Sequence, residues 1–164
     1  MFQEMRRQDR GLSRPETEEI LVKGMFGVLS MNGGEDYAYG VPLSYVYLEN
    51  SIYLHCALEG KKLTYIRRDN RVSFCVVEEA EPLPTKFSMK YKSAMVFGKV
   101  YEVDNDAEKL QSLIALVEKY YRGDQEHIDR GKEKAANSLD KTAVLRIDID
   151  YMTGKVRREK AKNS

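Results

Sequence analysis

The stretch GVPLSYVYLENSIYLHCALEGKKL, residues 40 to 63, decides how this chain folds. Its first half is aromatic and β-branched. Together with the residues just before it, YAYGVPLSYVYL (37 to 48) reads as one long strand. Glu49-Asn50 interrupts the apolar run and SIYLHCA (51 to 57) resumes it, so the two runs predict a hairpin. In the second arm the period of two puts Ile52, Leu54 and Cys56 on one face and Tyr53, His55 and Ala57 on the other. Gly60-Lys61-Lys62 then opens a segment that reads as a helix, held to the core by Leu63 and Ile66. The first N–H groups of a helix have no partner within it, a glycine lets a ligand approach closely, and lysines add full charge. Each charge-assisted hydrogen bond to a phosphate there contributes about 1.5–3 kcal/mol. A solvated helix start has the same sequence, so the residues alone leave both readings open.

Upstream, Ser13-Arg14-Pro15-Glu16 matches a capping box with proline in the first turn. The helix it starts should turn Ile20 and Leu21 inward and end at Gly24. MFGVLSM (25 to 31) is a strand that ends in the loop Asn32-Gly33-Gly34-Glu35-Asp36. Downstream come the strand RVSFCVV (71 to 77), a connection with two prolines (78 to 92), and the strand SAMVFGKVYEV (93 to 103). Asp104-Asn105-Asp106 offers N-caps for a helix carrying Leu110, Leu113, Ile114 and Val117, and Gly123 closes it. Residues 124 to 138 are polar, weakly helical, and anchored only by Ile128. TAVLRIDID (142 to 150) alternates well, with Ala143, Leu145, Ile147 and Ile149 opposite Val144, Arg146, Asp148 and Asp150. The expected architecture is α+β and mainly β: a barrel of about six mostly antiparallel strands with peripheral helices, in a single domain spanning 1–164. The ends, 1–12 and 155–164, are expected to fray.

The 27 basic and 26 acidic side chains nearly cancel, so attraction to nucleic acid or anionic membrane does not organise this molecule. The tail carries Lys155, Arg157, Arg158, Lys160 and Lys162, but it is short and Glu159 interrupts it; a solubilising terminus explains it. Cys56 and Cys75 lie in apolar runs, far apart, and read as buried free thiols of a reducing compartment. With neither a secretory leader nor about 18 consecutive apolar residues, the expectation is a soluble, cytoplasmic protein without a membrane partner. Familiar sites are missing: there is no Gly-x-Gly-x-x-Gly after a strand, no Walker loop and no nucleophile elbow. His55 and His127 have no metal-ligand spacing, so no metal is expected. His55 and Cys56 are adjacent in a strand and should diverge, which argues against a thiolate–imidazolium pair.

The ordered set MRRQDR, GVPLSYVYLENSIYLHCALEGKKL, YKSAMVFGKV and LRIDIDYMTGK resembles the flavin-binding proteins related to pyridoxamine 5'-phosphate oxidase. The branch it is most similar to includes the nitroimidazole-resistance proteins. The resemblance implies a split β-barrel, an obligate homodimer, and FMN in grooves between the subunits. It also implies that the backbone of Pro42, Leu43, Ser44 and Tyr45 runs along the flavin ring, with His55, Cys56 and Ala57 at the strand end beside it. Gly60, Lys61 and Lys62 match the phosphate-binding turn, and Ser93 matches a hydroxyl on a strand that flanks the cofactor. The reading of the two lysines as phosphate ligands rests on this resemblance.

Departures narrow it. The chain has no tryptophan, no proline after Pro84, and no Trp-Arg-x-x-Pro type of ending, which argues against pyridoxamine phosphate itself as substrate. The expectation is an FMN protein that passes electrons from NADH or NADPH to a small organic acceptor such as a nitro compound, with His55 as the catalytic candidate. The alternative is a non-catalytic protein on the same barrel that binds or senses flavin, haem or deazaflavin; only two imidazoles are available as haem ligands. Dimerisation has a separate argument in the tyrosines Tyr37, Tyr39, Tyr45, Tyr47 and Tyr53, which crowd one predicted hairpin.

Overall fold

The computed structural model describes residues 2–34 and 37–158. In chain order the elements are β1 (Gly11–Leu12), α1 (Arg14–Lys23), β2 (Gly27–Met31), β3 (Tyr39–Leu43), β4 (Tyr45–Leu48) and β5 (Ser51–Cys56). They continue with α2 (Lys61–Arg68), β6 (Arg71–Leu83), β7 (Ser88–Glu102), α3 (Asp106–Tyr120), α4 (Gln125–Ala136) and β8 (Ala143–Arg157). The strands make one antiparallel sheet in the order β3-β2-β6-β7-β8-β5-β4, with β1 added alongside β8. Among the described residues eight strands form it, where about six were expected.

Two sequence expectations account for the difference. The run 37 to 48 is not one strand: it breaks at Ser44, so that β3 pairs with β2 while β4 pairs with β5. The two edges of the sheet are therefore consecutive in the chain with a single residue between them, and the sheet must roll up for its ends to meet there. Among the described residues those edges are not paired with each other, so the expected barrel is an unclosed, curled sheet. The segment 78 to 92 is not a connection either. It lengthens β6 and β7 into a ribbon that turns at Pro84–Lys86, with Phe87 at a positive φ of 44°. Beyond Val76 the outer edge of β6 has no neighbour, so Pro82 forfeits no ladder hydrogen bond to a further strand.

The predicted Glu49-Asn50 turn is present, and both residues have positive φ, as a two-residue hairpin of matching twist requires. The capping box at Ser13 is formed with both of its hydrogen bonds. Parts of both chain ends lie in the sheet. Gly11 and Leu12 pair with Lys155 and Gly154, and Lys155, Val156 and Arg157 pair with β7. Lys160 and Lys162 lie outside the described residues.

The alternation read in β5 and β8 sorts their side chains between two cores. Ile52, Leu54, Leu145 and Ile147 join Leu29, Phe74, Val76 and Val96 in the main core, which α1 and α2 help to enclose. Val46, Val144, Leu113, Leu116 and Ala135 form a second core where α3 and α4 lie on the outer face of the sheet. Ala135, not Ile128, is the buried residue of α4. Arg146 fixes α3 in place: its guanidinium donates to Glu108 at 2.8 Å and to Asp148 at 2.7 Å, while the Tyr53 hydroxyl donates to Glu108 at 3.0 Å. Among the described residues no helix is long and apolar enough to cross a membrane.

Candidate functional site

The end of β5 and the start of α2 carry most of the chemistry. Burial alternates as predicted, so Cys56 packs against the main core while His55 points out on the side of α3 and α4. The two side chains diverge, and no thiolate–imidazolium pair forms. Partial burial lowers the His55 pKa below its ordinary 6.5, and the nearby Lys62 ammonium lowers it further. The imidazole is therefore neutral near pH 7 and offers a lone pair as well as an N–H.

Two residues after Leu58 the chain turns through Gly60 at φ 136°, a backbone region that side chains rarely enter. A Cβ at Gly60 would meet nothing within 4 Å, so the space over this turn is open. Gly60 is the N-cap of α2 and provides no side-chain cap, which leaves the first N–H groups of the helix facing that space. The Lys61 ammonium lies 5.0 Å from the Tyr39 ring centre and 5.4 Å from that of Tyr65. Among the described residues neither Lys61 nor Lys62 has a carboxylate partner. An open backbone, uncapped N–H groups and two ammonium groups without a carboxylate partner among the described residues are features that suit an anion.

The segment 42 to 45 divides. Pro42 and Ser44 are exposed on the edge of the sheet, and Leu43 packs its side chain against the main core. Tyr45 is used internally at every polar atom. Its ring is fully buried edge-on to Phe74, and its hydroxyl donates to Leu21 O at 2.7 Å. Its N–H donates to the Tyr120 hydroxyl at 3.0 Å, and its carbonyl accepts from Lys119 Nζ at 2.9 Å. Sequence reasoning missed Lys119 and Tyr120, because one helical Lys-Tyr pair carries no signal of a contact 75 residues away. Ser93 stands apart from the lysines: it faces Val77 and Lys155 in the ladder, whereas Tyr39, beside Lys61, lies in the row of Met31, Val72 and Gly98. Within one chain, His55, Cys56, Ala57, Gly60, Lys61 and Lys62 come together, and Ser93 does not join them.

The hairpin tyrosines are mostly engaged within the chain. Tyr45 is core, Tyr39 stacks near Tyr65, and Tyr47 and Tyr53 donate to Glu18 and Glu108. Of the five, Tyr37 is widely exposed, at 93%, while Tyr39, Tyr47 and Tyr53 are partly exposed.

A curled, mainly antiparallel sheet with four helices around it sets the fold class, α+β. The family model described as pyridoxamine 5'-phosphate oxidase matches residues 13–156, and the chain belongs to that family. Curated protein sequences give no match. Among solved structures, a candidate 5-nitroimidazole antibiotic resistance protein from Bacteroides thetaiotaomicron is similar at 24% identity and a TM-score of 0.74 over 89% of this chain and 86% of that one. A FAD-binding protein from Mesorhizobium loti matches at 27% identity and a TM-score of 0.66, over 91% of this chain and 98% of that one. The FAD and heme binding protein from Mycobacterium smegmatis shares the fold at 17% identity and a TM-score of 0.73, covering 93% and 75% of the two chains.

Proposed function

We propose that this protein binds FMN in grooves between two copies of the chain and transfers electrons from NADH or NADPH to a small organic acceptor such as a nitro compound. The observation that carries the reading is the uncapped α2 start, where Gly60 leaves room and Lys61 and Lys62 lack carboxylate partners. Those residues suit a phosphate monoester: backbone N–H groups and two ammonium charges meet a dianion, and no side chain competes for the space. The similarity to a FAD-binding protein at 27% identity supports a flavin as the bearer of that phosphate.

When bound, the flavin supplies the two-electron chemistry, and the chain supplies position and charge. Lys61 and Lys62 hold the phosphate and keep the local potential positive. The edge strand β3 offers unpaired backbone groups along Pro42 and Leu43, and the Ser44 hydroxyl lies at the exposed break between β3 and β4. In this reading His55, neutral near pH 7, would accept a proton on its free ring nitrogen or donate a hydrogen bond to the acceptor. Ser93 belongs to the far end of the ladder, so in this reading it serves the groove from the second subunit.

Lys61→Glu/Lys62→Glu tests the reading. Losing two charge-assisted hydrogen bonds should weaken FMN binding by about a hundredfold or more, with unchanged melting of the flavin-free protein. A double variant that retains FMN as the wild type does would end the proposal. The second reading, a binding or sensing protein that holds flavin, haem or deazaflavin without turnover, is favoured by one feature. Both histidines line a single groove, and their imidazoles are the ones that would hold a haem iron there. A visible spectrum separates the ligands, and steady-state oxidation of NADH or NADPH separates carrier from enzyme.

A further inference from the structure

His55 is also the near wall of a groove of about 1060 Å³ between α3, α4 and the end of β5, which the reading above leaves unused. We infer that this groove is a subsite for an adenosine phosphate, the half of a dinucleotide that does no redox chemistry. The inference rests on the proposed site at the start of α2, which follows the groove-lining His55 by five residues in the chain. His55 lines the groove, and Lys62 is close enough to depress the His55 pKa.

Four features meet in the groove. Its floor is apolar, from Leu113, Leu116 and Val117; a side chain at Gly131 would strike Val117 at 2.5 Å, so the glycine lets α4 close the floor. At the mouth, the rings of Tyr121 and His127 are parallel within 6° at 5.7 Å, and Tyr121 remains 49% exposed. The Asp124 carboxylate holds His127 Nδ1 at 2.8 Å, which fixes the ring for stacking. Arg130 and Lys134, one turn apart on α4, bring positive charge; Lys134 has no carboxylate partner among the described residues, and Arg130 has only a distant one in Glu126, at 3.9 Å. Asn137, Ser138 and Thr142 add an amide and two hydroxyls to the wall.

A simple apolar acid would need the floor and one cation. An aromatic platform beside paired cations and neutral hydrogen-bonding groups is the recognition set of a base, a phosphate and a ribose. Glu133 is the one carboxylate in the lining. Two molecules carry this moiety: FAD, if the resident flavin is the dinucleotide, or the nicotinamide donor.

The test titrates ADP, FMN, FAD and NADPH by calorimetry into flavin-free wild type, Tyr121→Ala and Arg130→Glu/Lys134→Glu, with NADPH also titrated into FMN-loaded protein. ADP should bind the wild type, and each variant should weaken it by about tenfold or more while FMN affinity stays within about twofold. FAD binding at least about tenfold tighter than FMN, with the advantage lost in the variants, assigns the groove to the flavin. Equal FMN and FAD affinities, with variant-sensitive NADPH binding, assign it to the donor. No ADP binding, or ADP binding that neither variant changes, overturns the inference. ADP binding in a protein that takes neither FMN nor FAD defeats the proposed flavin function and leaves the groove assignment standing.

Discussion

The Lys119 ammonium sits 3.7 Å from the centre of the Tyr45 ring while donating to the Tyr45 carbonyl, and burial lowers its pKa from 10.5 to about 8. A lysine with a lowered pKa opposes folding while it is charged, because the unfolded chain keeps a proton that the folded one sheds. Stability should therefore rise as pH climbs from about 8 towards 10.5, since over that window the unfolded state binds more protons. Lys119→Met removes that titration, so the stability of the variant relative to wild type should be highest near neutral pH and fall across the window. Urea melts of both proteins at several pH values check this, and parallel curves would count against it. His55 follows the same sign from the acidic side: with its pKa held below 6.5, protonation favours the unfolded chain and stability declines as pH drops past that value. By NMR, His55 should titrate below 6.5 and move upward in Lys62→Gln, since the nearby ammonium is the second cause of the shift. The lowering of the His55 pKa could not be foreseen from sequence, because it depends on burial by the folded chain and on the position of Lys62.

Elements were legible where local chemistry decides them. Ser13 and Glu16 announce α1, Glu49-Asn50 announces the hairpin, and the alternation of β5 and β8 separates Ile52, Leu54, Leu145 and Ile147 of the main core from Tyr53 and Val144 of the second. They were illegible where a neighbour decides. The two prolines at 82 and 84 suggest a loop, yet β6 continues through Pro82 because nothing pairs with its outer edge there. Ser44 has no turn signature, and the break between β3 and β4 is imposed by the curl of the sheet, which calls for partners on opposite edges. The turn that opens α2 was legible as a composition, Gly60-Lys61-Lys62, whereas the α3–α4 groove was not, since its residues come from separated elements. Curling has a further requirement at Gly98, where β7 meets the irregular register of β8 around Asp150. A Cβ at Gly98 would lie 2.2 Å from the Asp148 carbonyl oxygen, which is backbone and has no room to retreat. Gly98→Ala should destabilise the protein by about 2 kcal/mol, read as a lower urea midpoint with an unchanged slope. A variant as stable as wild type would show that the strands can part there at little cost.

At the scale of the whole molecule, one extremity runs on beyond the body of the sheet. Past Val77 and Tyr91, β6 and β7 run on as a two-stranded ribbon beyond their neighbours. A lone ribbon of that kind is marginal in water. At its turn Phe87 is 98% exposed and held at a φ of 44°, a conformation that costs a bulky residue free energy. Val77 and Met89 along the ribbon are 51% and 42% exposed. Cross-strand pairs of Lys90 with Glu79 and Glu81 occupy the charges, so the ribbon presents its apolar side chains without competing ionic contacts. The proposed homodimer gives this ribbon an occupant: a second copy would bury Phe87 and compensate the strained turn. The wild type should then scatter light as a dimer at micromolar concentration. Phe87→Ser combined with Met89→Ser should shift it towards monomer without changing its far-ultraviolet circular dichroism. Because Ser93 lies at the foot of the same ribbon, loss of the dimer should carry FMN retention away with it. A wild type that is monomeric, or a doubly substituted ribbon that dimerises and holds FMN as before, would detach the ribbon from both roles.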